Sequence, residues 1–128
     1  MDILIDVSCV LAVLAQEEQR DKIIEKTRGT HLVSAACLPY EVGNALSAMV
    51  KRRRIDGEMA IRVYKEFERI PVRLLEVNMG RAIQIAAEEN HYAYDAYYVA
   101  CALEAGLPLY SLDVRMVEIA RKRGIVCW

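Results

Sequence analysis

The chain has 128 residues, 55% of them hydrophobic, with only 6 Gly and 3 Pro, which excludes global disorder and suits one domain with a sizeable core. Its formal net charge of -1, from 17 Lys plus Arg against 18 Asp plus Glu, leaves nucleic acid open as a partner, because local charge sets the field near a groove. No apolar run reaches membrane-spanning length, the N-terminus lacks a basic leader, and Cys9, Cys37, Cys101 and Cys127 have no CxxC spacing, so a cytoplasmic protein with buried thiols and no membrane contact is expected.

The first stretch, Met1 to Ser8, is a nearly continuous apolar run through Ile3, Leu4, Ile5 and Val7. Such a run suits a strand covered by helices on both faces of a parallel sheet. Asp6 interrupts it at the expected carboxyl end, and Ser8 is placed to cap a short helix reaching Leu14. Glu17 to Gly29 reads as a second helix with Ile23 and Ile24 on its buried face, and His31 to Ser34 as a short strand. Leu38, Val42, Leu46 and Met49 then recur at helical spacing, with Pro39 in the first turn, Glu41 beside the apolar stripe, and Asn44 one turn further on. Lys51-Arg52-Arg53-Arg54 ends this helix.

Asp56 is placed to cap a fourth helix, with Met59, Ile61-Arg62, Val63 and Phe67 carrying its apolar side. Val72 to Val77 is the third strand expected, and Asn78 opens a helix to Glu89 whose Ala82, Ile83, Ala86 and Ala87 are expected to face inward. Tyr94 to Glu104 is a helix rich in alanine, with Asp95 at its start and Gly106 and Pro108 beyond its end. Leu109 to Leu112 is the fourth strand, Asp113 follows it, Val114 to Arg123 is a short helix, and Ile125 to Cys127 reads as a fifth, edge strand. Alternating strands and helices without a linker or repeat predict one domain over residues 1–128: α/β, in three α/β/α layers, with a mostly parallel five-stranded sheet.

Four acids fall at comparable places in this scheme. Asp6 and Asp113 follow strands, Glu41 lies in the first turns after a strand, and Asp95 opens a helix. In a parallel sheet, strand ends and the starts of the following helices share one edge, which would gather Asp6, Glu41 and Asp113; the side on which the helix of Asp95 starts is left open. Gathered carboxylates repel one another, and Mg2+ or Mn2+, with one or two ions, would relieve that repulsion. Such a site is suited to activating water and stabilising charge on a phosphodiester. Each acid also has a local reading: Asp95 as a cap, Asp6 and Asp113 as turn acids, Glu41 as a solvated helical residue.

Ser8, Asn44, Ser111 and Glu118 are candidates to support the acids, and Ser8 and Ser111 serve equally as caps. Lys51, Arg52, Arg53, Arg54 and Arg115 are candidate RNA-phosphate contacts; the run at 51–54 reads equally well as a solvated helix end. Tyr92, Tyr94, Tyr97 and Tyr98 form an aromatic cluster that suits core or interface packing better than base stacking. His31 and His91 lack HxH or HExxH spacing, which argues against a histidine-built metal site.

Taken together, Ile5-Asp6-Val7-Ser8, Tyr40-Glu41-Val42-Gly43-Asn44-Ala45-Leu46, Tyr94-Asp95-Ala96-Tyr97-Tyr98-Val99-Ala100 and Tyr110-Ser111-Leu112-Asp113 resemble the PIN-domain ribonucleases, specifically the VapC-like toxins of type II toxin–antitoxin pairs. The resemblance covers essentially residues 1–127. It implies a PIN-like nuclease domain in which Asp6, Glu41, Asp95 and Asp113 bind Mg2+ or Mn2+ for hydrolysis of RNA, often tRNA or rRNA. It also implies a homodimer built on helices around residues 37–69, and a small antitoxin whose C-terminal segment enters the groove. The family often adds an acid or Asn soon after the last Asp, whereas Val114-Arg115-Met116-Val117 follows here, which bears on a second ion.

Competing readings keep the architecture but change the chemistry. A phosphoacceptor receiver would need a Lys after a late strand, and a haloacid-dehalogenase-like phosphatase a second acid where Ser8 stands. No GxGxxG or P-loop is present. A PIN-like module that binds RNA or protein without turnover is the non-enzymatic alternative.

Overall fold

A computed structural model describes residues 1–128. Its elements, in chain order, are β1 (Asp2–Ile5), α1 (Val7–Leu14), α2 (Arg20–Thr27), β2 (His31–Ala35), α3 (Leu38–Lys51), α4 (Gly57–Glu68), β3 (Val72–Leu75), α5 (Met79–Glu89), α6 (Ala93–Ala105), β4 (Leu109–Tyr110) and α7 (Val114–Lys122). The sheet is wholly parallel, in the order β3-β2-β1-β4.

Side chains alternate across β1 as a strand requires. Leu4 enters a core with residues of α5, α6 and α7, whereas Ile3 and Ile5 enter a second core with residues of α1, α2, α3 and α4. The same alternation puts Leu109 in the first core and Tyr110 in the second. These two cores are the physical content of the three layers. Each fully buried aliphatic side chain contributes about 1.5–3 kcal/mol relative to exposure, so the central strand is a principal anchor of both.

Two expectations need correction. Ile125 to Cys127 does not extend as a fifth strand: the tail makes one isolated parallel bridge, Leu109 with Cys127. Leu109 N donates to Val126 O at 2.9 Å, and Trp128 N donates to Leu109 O at 2.9 Å. A two-residue β4 offers too short an edge for a longer ladder. Ile83 and Ala87 do not face inward: Ile85, three positions from Ala82, takes the buried place, and Ile83 and Ala87 are exposed.

Two of the expected caps are in place. Asp56 and Asn78 accept hydrogen bonds from Met59 N at 2.8 Å and Arg81 N at 3.1 Å. Asn90 and Gly106 end α5 and α6 in the left-handed region, which glycine enters freely for want of a Cβ and asparagine more readily than most residues. No helix is long and apolar enough to cross a membrane.

Candidate active site

The strand order turns back between β1 and β4: β2 and β3 lie to one side of β1, and β4 to the other. In open parallel sheets the crevice beyond the carboxyl ends at such a reversal receives ligands. Asp6 leaves β1 there, and Ser111 and Asp113 leave β4 beside it.

Asp6 is 1% exposed and is itself the N-cap of α1, accepting from Cys9 N at 3.2 Å. Ser8, expected to cap this helix, instead lies within its first turn and donates to Asp6 Oδ1 at 2.6 Å. Ser111 donates to Asp6 Oδ2 at 2.7 Å. The two hydroxyls reach onward: Ser8 Oγ accepts from Leu112 N and Ser111 Oγ from Asp113 N, both at 2.9 Å. The β4–α7 turn is therefore bonded to the β1–α1 turn through one carboxylate. Burial pushes the Asp6 carboxyl above its ordinary range; the three hydrogen bonds oppose this, and the charge of Asp113 adds to it.

Asp113 caps α7, accepting from Arg115 N at 2.9 Å and Met116 N at 3.1 Å through one oxygen, Oδ1. Asp95 stands in the first turn of α6, where its carboxyl is raised by burial and by Asp113. Its partner is His91, with Nε2 2.8 Å from Oδ2. The helix of Asp95 thus starts on the side of the acids, which the sequence had left open. Glu41, in the first turn of α3, accepts from Cys37 Sγ at 3.2 Å and from the Tyr98 hydroxyl of α6. Burial, then the Glu41 carboxylate, push the Cys37 thiol up to about 12.

The supporting candidates divide. Ser8 and Ser111 join the acids directly. Asn44 lines a groove with Glu41. Glu118 does not reach the acids; it pairs with Arg115 Nη1 at 3.5 Å. Arg115 is also committed to Glu89, at 3.3 Å from Oε1 and 3.2 Å from the carbonyl oxygen. Lys51, Arg52, Arg53 and Arg54 are exposed and form no ion pair. His91 and the Tyr98 hydroxyl went unassigned in the sequence. The four-residue spacing of His91 and Asp95 was the available signal for the first. The second depends on how α6 packs against α3, for which local sequence carries no signal.

No three His, Cys, Asp or Glu side chains converge as a ligand group. The reason is visible in the hydrogen bonds: Asp6 spends both oxygens on serines, Asp95 turns to His91, and Glu41 turns to Cys37 and Tyr98. The donor chemistry nevertheless fits a hard divalent cation, because these are carboxylate oxygens and two of the carboxyls are held in an environment that disfavours their charge.

A family model described as PIN domain matches residues 3–122. The chain belongs to the PIN-domain family. This PIN domain is 26% identical over 125 residues to Ribonuclease VapC3 of Pyrobaculum aerophilum, covering 92% of this chain and 94% of that protein. The crystal structure of PAE2754 from Pyrobaculum aerophilum aligns with a TM-score of 0.74 at 26% identity, over 99% of this chain and 92% of that one. Two more distant structures share the fold. VapBC2 of Rickettsia felis, bound to a promoter DNA fragment, has a TM-score of 0.71 at 6% identity, over 100% of this chain and 98% of that one. VapC20 of Mycobacterium tuberculosis, described as a sarcin-ricin loop cleaving toxin, has a TM-score of 0.64 at 16% identity, over 91% and 93% of the two chains.

Proposed function

We propose that this PIN domain is a metal-dependent endoribonuclease and the toxin of a VapBC-type toxin–antitoxin pair. The observation that carries the reading is the buried Asp6 bridging the ends of β1 and β4, with Asp113 beside it, at the reversal of the sheet. Asp6, Glu41, Asp95 and Asp113 would hold Mg2+ or Mn2+. The bound metal would supply an activated water and a counter-charge for the phosphodiester oxygens. Around it, Ser8 and Ser111 fix the Asp6 carboxylate, His91 orients Asp95, and Tyr98 with Cys37 orients Glu41.

Similarity to a protein named Ribonuclease VapC3 supports RNA as the substrate, and the likeness in fold to a chain of the VapBC2 structure supports a small antitoxin as partner. A homodimer through α3 and α4 is supported by the exposed Met59 and Ile61 and by a groove between the helices lined by Leu46, Val50 and Tyr64. The four carboxylates that do not converge favour a second reading, a PIN domain that binds RNA without cutting it.

The test is cleavage of total cellular RNA by protein freed of any copurifying partner, in Mg2+, Mn2+ or chelator, with Asp6→Asn run beside it. Discrete products that need metal and vanish in the variant establish the nuclease. Folded protein that binds metal but yields no product in either ion rejects cleavage in favour of binding.

A further inference from the structure

Resting on the ribonuclease reading, we propose that Tyr40 and Tyr94 form a seat for one unpaired nucleobase of the RNA, beside the bond to be cut. Tyr40 is 81% exposed and Tyr94 61% exposed. Both line a groove of about 540 Å³ with Val7, Leu11, Glu41 and Asn44. Each ring directly precedes one of the acids: Tyr40 precedes Glu41 on α3, and Tyr94 precedes Asp95 on α6. A base and its phosphate are joined through one sugar, so a base seated here brings its phosphate to the acid edge.

The chemistry of the groove selects the base over other parts of the RNA. Its one charged side chain is Glu41, so it repels a phosphate, whereas a neutral, flat base finds aromatic and aliphatic walls. Tyr94 is braced by Tyr97, with ring centroids 5.7 Å apart and planes at 76°. An edge-to-face contact of this kind leaves at least one face of Tyr94 open, and it reduces the freedom that stacking would otherwise cost. Asn44 is exposed and its side-chain amide forms no hydrogen bond within the chain, which leaves a donor and an acceptor for a base edge. A base inside a duplex is already stacked and paired, so a seat of this kind selects single-stranded or looped RNA.

The experiment uses single-stranded RNA oligonucleotides with 2-aminopurine at successive positions, and matching oligonucleotides with an abasic site there. Wild type should quench the fluorophore at one position and bind the abasic RNA about tenfold or more weakly, the scale of one base–aromatic stack. Tyr40→Ala and Tyr94→Ala should lose the quenching and bind the intact RNA as weakly as wild type binds the abasic one. Tyr40→Phe and Tyr94→Phe should keep wild-type affinity, because the ring and not the hydroxyl makes the stack. Absence of quenching at every position, or alanine variants with wild-type affinity, would overturn the seat; the second result would leave the groove to a protein partner. Quenching without cleavage in Mg2+ or Mn2+ would sink the nuclease reading alone, and cleavage without quenching would sink the base seat alone.

Discussion

Two acidic clusters flank α7, and they are built in opposite ways. At its N-terminal end, the Asp6 carboxylate accepts from two serine hydroxyls and one backbone amide, the Asp113 carboxylate accepts from two backbone amides, and neither has a cation in contact. Alongside its body, Glu89 of α5 is held by Arg115, Lys122 and Arg123 at 3.3, 3.0 and 2.8 Å, and Arg123 also takes Glu88 at 2.8 Å. The Glu89 side chain is 8% exposed. Hydrogen bonds from Arg123 and Lys122 hold its carboxyl down at about 2, whereas burial holds Asp6 up. One cluster is saturated with internal cations and joins α5 to α7. The other is starved of them, which is the electrostatic condition for taking a cation from solution.

The sharpest break of this contrast is Asp6→Asn. It should lower RNA cleavage by about a hundredfold or more, the scale of losing a key charge-stabilising group. Wild type should also gain melting temperature on addition of Mn2+, while Asp6→Asn gains much less; equal gains in the two proteins would show that the ion binds elsewhere.

Acid titration separates the two clusters by sign. Glu89 binds fewer protons folded than unfolded between its ordinary 4.5 and about 2. Its contribution to stability is therefore complete above that window and fades as pH falls through it. Asp6 works the other way: its folded carboxyl is raised, so its relative contribution is present at low pH and is lost as pH rises through the folded value. Urea midpoints measured against pH should show a flatter acid limb for Glu89→Gln and, without metal, a smaller loss of stability above the ordinary carboxylate range for Asp6→Asn. An unchanged acid limb in Glu89→Gln would deny the cage its role.

A smaller effect is expected at Glu41. Tyr98→Phe removes one donor from a partly buried carboxylate and should cost about 1 kcal/mol of stability, with a several-fold loss in cleavage. Stability lost without any change in cleavage would make Tyr98 a packing residue only. The smallest effect belongs to the exposed run 51–54. Replacing Arg52, Arg53 and Arg54 with Ala should leave the melting temperature in place and reduce the salt slope of RNA binding by about one per lost phosphate contact. An unchanged slope would remove these residues from the RNA path.

Much of this arrangement was legible in the chain, because it is local. Asp6 and Asp113 end apolar runs, and a parallel sheet carries such residues to one edge whatever the details of packing. The caps at Asp56 and Asn78 were legible for the same reason, whereas Asp6 in place of Ser8 as the cap of α1, and Asp113 as the cap of α7, were not. The cage around Glu89 was not, since Glu89, Arg115 and Arg123 meet only after α5 and α7 pack together. Tyr98 was hidden similarly: its spacing marks it as core, which it is, and gives no sign that its hydroxyl ends at Glu41. The fifth strand failed because a short apolar tail resembles a strand in sequence, while the ladder it forms is limited by a two-residue neighbour.

The pairing of β1 with β4 has a consequence in time. Leu4 and Ile5 lie beside Leu109 and Tyr110, more than a hundred residues later in synthesis. Asp6 is therefore made about a hundred residues before Ser111 and Asp113, the partners that tie it to β4. The loop that this pairing closes spans most of the domain, which places it late among the contacts of the fold. The acid edge thus depends on contact between distant parts of the domain: Asp6 has one serine partner nearby in the chain, Ser8, and gains the other, Ser111, only when β4 docks.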